Sequence, residues 1–184
     1  MHLGSPALTF VHVAISLIGI LSGIVVGLGL VVGKRLDGLT SLFLWTTILT
    51  SVTGFIFFPF HGITPGIVIG ILSLIALAIA WVARYTKKME GGWRKAYVIT
   101  AMIALYFNVF VLIVQSFQKI PGLQALAPTQ KEPPFQIAQL ACLLIFVVWT
   151  ILATLEFRAE AVGHGVAGGA SENATAGSTS KRQG

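Results

Sequence analysis

The chain has 184 residues, of which 55% are hydrophobic and only 10% are charged, and its mean hydropathy is +0.88. A soluble domain carries about 25% charged residues. This composition excludes a soluble globular enzyme and a disordered chain, and it predicts a polytopic membrane protein. The net charge of +6 comes from Lys and Arg residues that lie between apolar runs. We interpret it as topogenic charge and expect no nucleic-acid partner.

Five apolar segments each approach the roughly 20 residues that a membrane-spanning helix needs. They cover residues 8–32, 39–58, 67–83, 96–117 and 135–157, and Pro, Gly or charged residues separate them. The sequence therefore predicts an all-α fold, an integral membrane bundle of five transmembrane helices over residues 1–158. The remaining segment, 159–184, is rich in Gly, Ala, Ser and Thr without periodicity, which predicts a disordered cytoplasmic tail.

The lysine and arginine residues concentrate in the first and third connections and in the tail, whereas the second connection has none. Because cytoplasmic loops carry the excess of positive charge, we predict that the N-terminus is outside and the C-terminus is cytoplasmic. The expected location is the lipid bilayer of a cell inner membrane, as a multi-pass protein. Four aromatic residues should form a belt at the inner interface: Trp81, Tyr85, Trp93 and Tyr97.

Small residues repeat at intervals of four along two of the spans. Gly19, Gly23 and Gly27 share one face of the first span, and Gly66 and Gly70 open the third. In lipid, small residues let two helix backbones approach closely. We expect these glycines to contact neighbouring helices of the same chain, and the alternative is a homodimer or a membrane partner protein bound through the first span.

The ionisable residues give no sign of catalysis. All six acidic residues lie in connections, at helix ends or in the tail, and no charge falls in the middle of a span. A proton- or ion-coupled carrier usually needs such a charge. The sequence also contains no Ser/His/Asp set and no metal-binding motif. We therefore predict no catalytic residue and no metal site.

Uncharged polar residues mark the last two spans. Tyr106, Asn108 and Gln115 lie on the fourth span, and Gln139 lies on the fifth at a depth similar to that of Gln115. An amide in hydrocarbon without a partner costs several kcal/mol, so these side chains should face protein or water. We expect Asn108, Gln115 and Gln139 to form one outward-facing seam, which either holds the helices together or lines a ligand cavity.

Two histidines flank the predicted outer boundary of the membrane. His12 lies one turn into the first span and His61 follows the second. Neutral imidazoles can ligate a haem iron or a metal ion, and a quinone site near His12 is a further alternative. No cofactor is predicted, because interfacial histidines also hydrogen-bond to backbone or headgroups.

The proline-containing connection 118–134 on the same side is expected to be either a lid or a rigid spacer.

Several short motifs resemble a family of small, uncharacterised polytopic inner-membrane proteins of proteobacteria. They are YFNVF at 106–110, KIP at 119–121, APT at 127–129, EPPF at 132–135, TGFIFFP at 53–59 and TPG at 64–66. This resemblance implies location and topology but no chemistry.

The favoured function is therefore non-enzymatic: an accessory subunit, or a binder of an apolar ligand at the outward-facing seam. The alternative is a membrane redox protein that binds haem b through His12 and His61, or a quinone near them. A channel or passive carrier is the third hypothesis, and it would need polar residues through the inner half of the seam.

Overall fold

The computed structural model describes residues 6–57 and 65–180, with side chains over 6–55 and 66–157. Within these residues the chain is helical and contains no β-strand. The elements are α1 (Pro6–Val31), α2 (Asp37–Phe57), α3 (Pro65–Trp81) with a π-helical turn after it (Val82–Thr86), α4 (Trp93–Lys119), the short α5 (Pro121–Leu126) and α6 (Pro133–Ser180).

Five of the described helices, α1, α2, α3 with its π-helical turn, α4 and the part of α6 up to Phe157, are long and apolar enough to cross a membrane. This confirms the predicted all-α class and the predicted number of candidate spans. The helices begin two or three residues before the predicted boundaries. Proline explains much of this shift, because it opens α1, α3 and α6 and is well tolerated in the first turn of a helix. The disordered tail over 159–184 stays a prediction, since side chains beyond Phe157 lie outside the described part.

Helix α4 is the centre of the bundle. It packs against α1, α2, α3, α5 and α6, while α1 also packs against α2 and α6, and α2 against α3. Three- and four-residue spacing gives α4 a broad buried stripe, made of Tyr97, Val98, Ala101, Met102, Ala104 and Leu105. Helix α4 therefore takes part in most of the contacts between helices.

Successive helices run in opposite directions, so the bundle has two chemically different ends. We call the end that holds the α1–α2 and α3–α4 connections the basic end, because seven described Lys and Arg residues lie there. The other end, which holds the start of α1 and the α4–α6 connection, is called the proline end. It carries Lys119 and Lys131.

The α4–α6 connection is more structured than the predicted loop. Helix α4 reaches Lys119, and α5 begins two residues later at Pro121. The Glu132 carboxylate accepts hydrogen bonds from the Thr129 hydroxyl (2.8 Å) and from the backbone N–H groups of Thr129 and Lys131. Gln130 Nε2 donates to the Val114 carbonyl of α4 (3.1 Å). The connection is thus hydrogen-bonded to α4 through Gln130. Its role as a lid or a spacer stays a prediction.

The predicted aromatic belt is wrong in one member. Trp81, Tyr85 and Trp93 are partly or fully exposed at the basic end, but Tyr97 is only 1% exposed. Helix α4 begins three residues earlier than predicted, so Tyr97 lies one turn inside it. There its ring centroid lies 5.5 Å from the Arg84 guanidinium carbon.

Candidate functional site

His12 lies half-buried on α1 near the proline end, with its ring held by α2. Its Nδ1 is 2.8 Å from the Thr53 hydroxyl, and that hydroxyl donates to the Leu49 carbonyl (2.6 Å). A threonine hydroxyl has one proton, so Thr53 accepts from His12 and the ring is protonated on Nδ1. The lone pair of the imidazole is consequently on Nε2. His61, its predicted partner, lies outside the described residues, and the pairing of the two histidines stays a prediction.

The His12–Thr53 contact begins a series of polar contacts that we call the polar ladder. One turn further along α1, the Ser16 hydroxyl donates to the His12 carbonyl (2.7 Å) and lies 3.3 Å from the Thr50 hydroxyl. Deeper in the bundle, Asn108 Nδ2 of α4 donates to the Thr47 hydroxyl of α2 (3.1 Å). The ladder therefore joins α1, α2 and α4 through residues 12, 16, 47, 50, 53 and 108.

The structure does not join the three predicted amides into one seam. Asn108 donates to Thr47 on α2, whereas Gln139 Nε2 of α6 donates to the Phe110 carbonyl of α4 (3.3 Å). Gln115 is half-buried on α4 and forms no hydrogen bond with either amide in the described part of the chain. Asn108 and Gln139 thus act at two different helix interfaces.

Gln139 lies beside an aromatic cluster between α4 and α6. The Tyr106 ring centroid is 5.7 Å from that of Phe146 and 6.1 Å from that of Phe110. The Oε1 atom of Gln139 is buried and has no hydrogen-bond partner. We call this set, Tyr106, Phe110, Gln139 and Phe146, the amide–aromatic seam. An unpaired buried acceptor is uncommon in a folded protein and calls for an explanation.

The glycines predicted to allow close packing contact the chain's own helices. A Cβ atom on Gly19 would lie 3.1 Å from the Thr46 hydroxyl of α2, and one on Gly23 would lie 2.6 Å from Leu105 Cδ1 of α4. On Gly27 it would lie 2.8 Å from Trp149 Cζ2 of α6. One face of α1 thus meets three helices, and its glycines are covered from within the chain, which supports the intrachain interpretation over a dimer through this face.

The glycines of α3 differ from each other. A Cβ atom on Gly70 would lie 2.8 Å from Phe55 Cζ of α2. Gly66, at the start of α3, is exposed. Of the two predicted glycines, Gly70 packs closely against a neighbouring helix and Gly66 does not.

Arg84, in the π-helical turn, is a residue whose role the sequence did not indicate. Its side chain is only 8% exposed and forms a salt bridge with Asp37 at the start of α2, and Asp37 is 74% exposed. Its guanidinium carbon lies 5.6 Å from the Tyr85 ring centroid and 5.5 Å from that of Tyr97. The available signal was the position of this arginine, directly after the predicted end of the third span and between the aromatic residues Trp81 and Tyr85.

Within the described residues, no three or more His, Cys, Asp or Glu side chains gather as a metal site would require. No family model, curated protein or solved structure matches this chain. Membership of the proteobacterial family therefore stays a prediction.

Proposed function

We propose that the chain is a multi-pass inner-membrane protein with its basic end in the cytoplasm, its N-terminus outside and its C-terminus inside. Large apolar side chains cover the outside of the spans, for example Leu21 and Ile137, each 64% exposed. A surface of this kind is costly in water and favourable in lipid. Seven described Lys and Arg residues at the basic end against two at the other support the orientation.

The orientation can be tested by labelling with a membrane-impermeant maleimide. Cys142 is the only cysteine, so Cys142→Ser gives a background without thiols. Lys131→Cys should then react in intact spheroplasts, and Lys88→Cys only after permeabilisation. The reverse pattern would contradict the proposed orientation, and equal labelling of both in intact cells would contradict membrane insertion.

For the function itself, we propose a non-enzymatic binder of an apolar ligand at the amide–aromatic seam. The observation that carries this proposal is the buried, unpaired Oε1 atom of Gln139, whose amide donates to α4 at Phe110, one turn from Tyr106. Ligand sites are mostly apolar and fix orientation with a few polar groups. The matching ligand is an apolar molecule with one hydroxyl or N–H donor. If the seam binds no such ligand, Gln139 only joins α6 to α4, as in an accessory subunit.

Analysis of co-purifying small molecules separates these two roles. The wild-type chain and Gln139→Leu are purified in mild detergent, extracted with organic solvent and examined by mass spectrometry. The matched control is Gln136→Leu, since Gln136 is an exposed amide one turn earlier on α6 that donates to the Lys131 carbonyl. We expect one apolar species in the wild type and the control, and its loss in Gln139→Leu. Equal content in all three proteins would contradict the ligand site.

A redox role is the second candidate, and one contact favours it. Thr53 orients the His12 ring through Nδ1, as an outer partner orients a histidine that ligates a metal through its other nitrogen. A haem b between His12 and His61 would give sharp α and β bands in the reduced-minus-oxidised spectrum. His12→Ala and His61→Ala would each abolish these bands. A flat spectrum after expression with sufficient haem would exclude this candidate and leave quinone binding near His12 to be examined.

A further inference from the structure

A cleft of about 410 Å³ opens at the basic end, between the start of α2 and the π-helical turn. Arg35, Arg84 and Lys88 line it, and its one carboxylate, Asp37, already pairs with Arg84. Within the described residues, Arg35 and Lys88 form no salt bridge. The cleft thus keeps two cationic side chains whose charge no described carboxylate balances.

The backbone beside the cleft has an uncommon conformation. Lys88 and Met89 have φ values of 48° and 59°, in the left-handed region that residues other than glycine rarely adopt. Met89 is 5% exposed, and its N–H donates to the Ala83 carbonyl (2.8 Å). The buried methionine anchors the strained turn, and the turn places Lys88 at the cleft. Such strain and π-helical turns are both frequent at functional sites.

A further cation lies near one edge of the cleft. The guanidinium carbons of Arg35 and Arg94 lie 5.9 Å and 6.0 Å from the centroid of the same ring, that of Phe157. The Nε atom of Arg94 is buried without a hydrogen-bond partner. The aromatic ring holds both planar cations in place, so the positive charge extends from the cleft towards the end of the apolar part of α6.

We propose that this cleft binds a phosphate group, either on the headgroup of an anionic phospholipid or on a soluble phosphate ester. Arg35 and Lys88 bind the phosphate oxygens, and the Ser41 hydroxyl on the cleft wall supplies a neutral donor. Guanidinium and ammonium groups form charge-assisted hydrogen bonds with phosphate. Arg84 stays paired with Asp37 and fixes the wall of the cleft.

The position of the cleft favours the lipid source. Tyr85 and Trp93, 42% and 39% exposed, lie at the same end, and such residues mark the headgroup level of a membrane. Basic pockets between helix ends on the cytoplasmic side bind anionic headgroups. This inference rests on membrane insertion but not on a ligand at the amide–aromatic seam, so each can fail without the other.

Calorimetric titration of the full chain in neutral detergent tests the proposal. The three titrants are short-chain phosphatidylglycerol, short-chain phosphatidylcholine and inorganic phosphate. The cleft variant is Arg35→Gln with Lys88→Gln. The control is Lys34→Gln with Lys95→Gln, which removes the same charge at the same end from exposed residues that do not line the cleft. All four substituted positions are exposed, and far-UV circular dichroism checks that both variants fold.

We expect phosphatidylglycerol to bind more tightly than phosphatidylcholine, and the cleft variant to weaken that binding at least about tenfold, as for the loss of charge-assisted hydrogen bonds. The control should bind like the wild type. Binding of inorganic phosphate alone, lost in the cleft variant, would support the site and assign it to a soluble phosphate. Equal losses in the two variants, equal binding of both lipids without phosphate binding, or no binding at all would overturn the proposal.

Discussion

Replacing Gly23 by alanine adds one methyl group at the most crowded described glycine of α1. The new Cβ atom would lie 2.6 Å from Leu105 Cδ1 and 2.8 Å from two carbon atoms of the Phe43 ring. Both neighbours are 1% exposed, so neither can move into open space. Overpacking of this kind typically costs about 1–3 kcal/mol.

Gly38→Ala is the matched control. It makes the same chemical change in α2, where a Cβ atom would meet nothing within 4 Å. Gly23→Ala lies in a helix interior and gains up to about 1 kcal/mol of helix propensity, whereas Gly38→Ala lies in the first turn of α2, where the gain is smaller. The difference between the two variants is therefore a lower bound on the packing cost. We expect Gly23→Ala to be less stable than Gly38→Ala by about 1–3 kcal/mol.

The free energies come from unfolding in mixed detergent–SDS micelles, followed by far-UV circular dichroism. A double-mutant cycle with Leu105→Ala sharpens the result. Leu105→Ala alone should cost about 2–5 kcal/mol through its cavity. It also removes the closer of the two clashes at Gly23 and leaves space into which Phe43 can shift, so we expect a favourable coupling of about 1 kcal/mol. Equal stability of the two alanine variants, or additive costs in the cycle, would refute the contact between α1 and α4.

Three further predictions concern polar contacts. Asn108→Leu should lower the free energy of unfolding by about 0.6 kcal/mol and at most about 1.7 kcal/mol, as the loss of an interhelical hydrogen bond in a membrane does. Thr47→Val should then cost less in the Asn108→Leu background than in the wild-type chain, because the hydrogen bond is already lost. Additive losses in the SDS unfolding assay would contradict the bond. Arg84→Gln should cost more than Asp37→Asn, because it removes the ion pair and the contacts with two aromatic rings, whereas an amide at position 37 can still accept a hydrogen bond from the guanidinium. Equal costs in that assay would contradict this asymmetry. For Glu132, desolvation raises the pKa, but hydrogen bonds from the preceding turn lower it by more, so its net pKa is below the ordinary value. The ionised carboxylate therefore stabilises the turn at pH values above the unfolded-state pKa of about 4.3. This stabilisation is lost as the pH falls through the lower folded-state pKa. A carboxyl NMR titration of Glu132 with its midpoint at or above the ordinary value would contradict the hydrogen bonds.

The five helices could be predicted because each depends only on local composition and length. An apolar run of the required length between prolines, glycines and charges specifies a helix without reference to any neighbour. The spacing of the glycines in α1 likewise predicted a close-packing face. It could not predict which helix packs on that face, because Gly19, Gly23 and Gly27 each meet a different set of side chains. Such contacts depend on how α1 is rotated against α2, α4 and α6.

The polar contacts were harder to predict for a related reason. Gln115 and Gln139 were predicted to lie at a similar depth on neighbouring helices, with Asn108 on the same face as Gln115, which made one common seam reasonable. A hydroxyl on α2 and a backbone carbonyl on α4 are equally good partners, however, and a sequence does not show that a backbone carbonyl can accept a second hydrogen bond. Thr46 and Thr53 of α2 donate to carbonyls of their own helix, those of Leu42 and Leu49. The same hydroxyl oxygens can also accept hydrogen bonds.

Thr47 and Thr53 show why that second capacity matters. Each hydroxyl oxygen accepts a hydrogen bond from another helix, from Asn108 Nδ2 in one case and from the His12 ring in the other. Thr53 also donates to the Leu49 carbonyl of its own helix, so its hydroxyl leaves no polar atom facing lipid. It also selects one tautomer of His12. The polar ladder thus stabilises the α1–α2 pair and, through Thr53, orients the His12 ring.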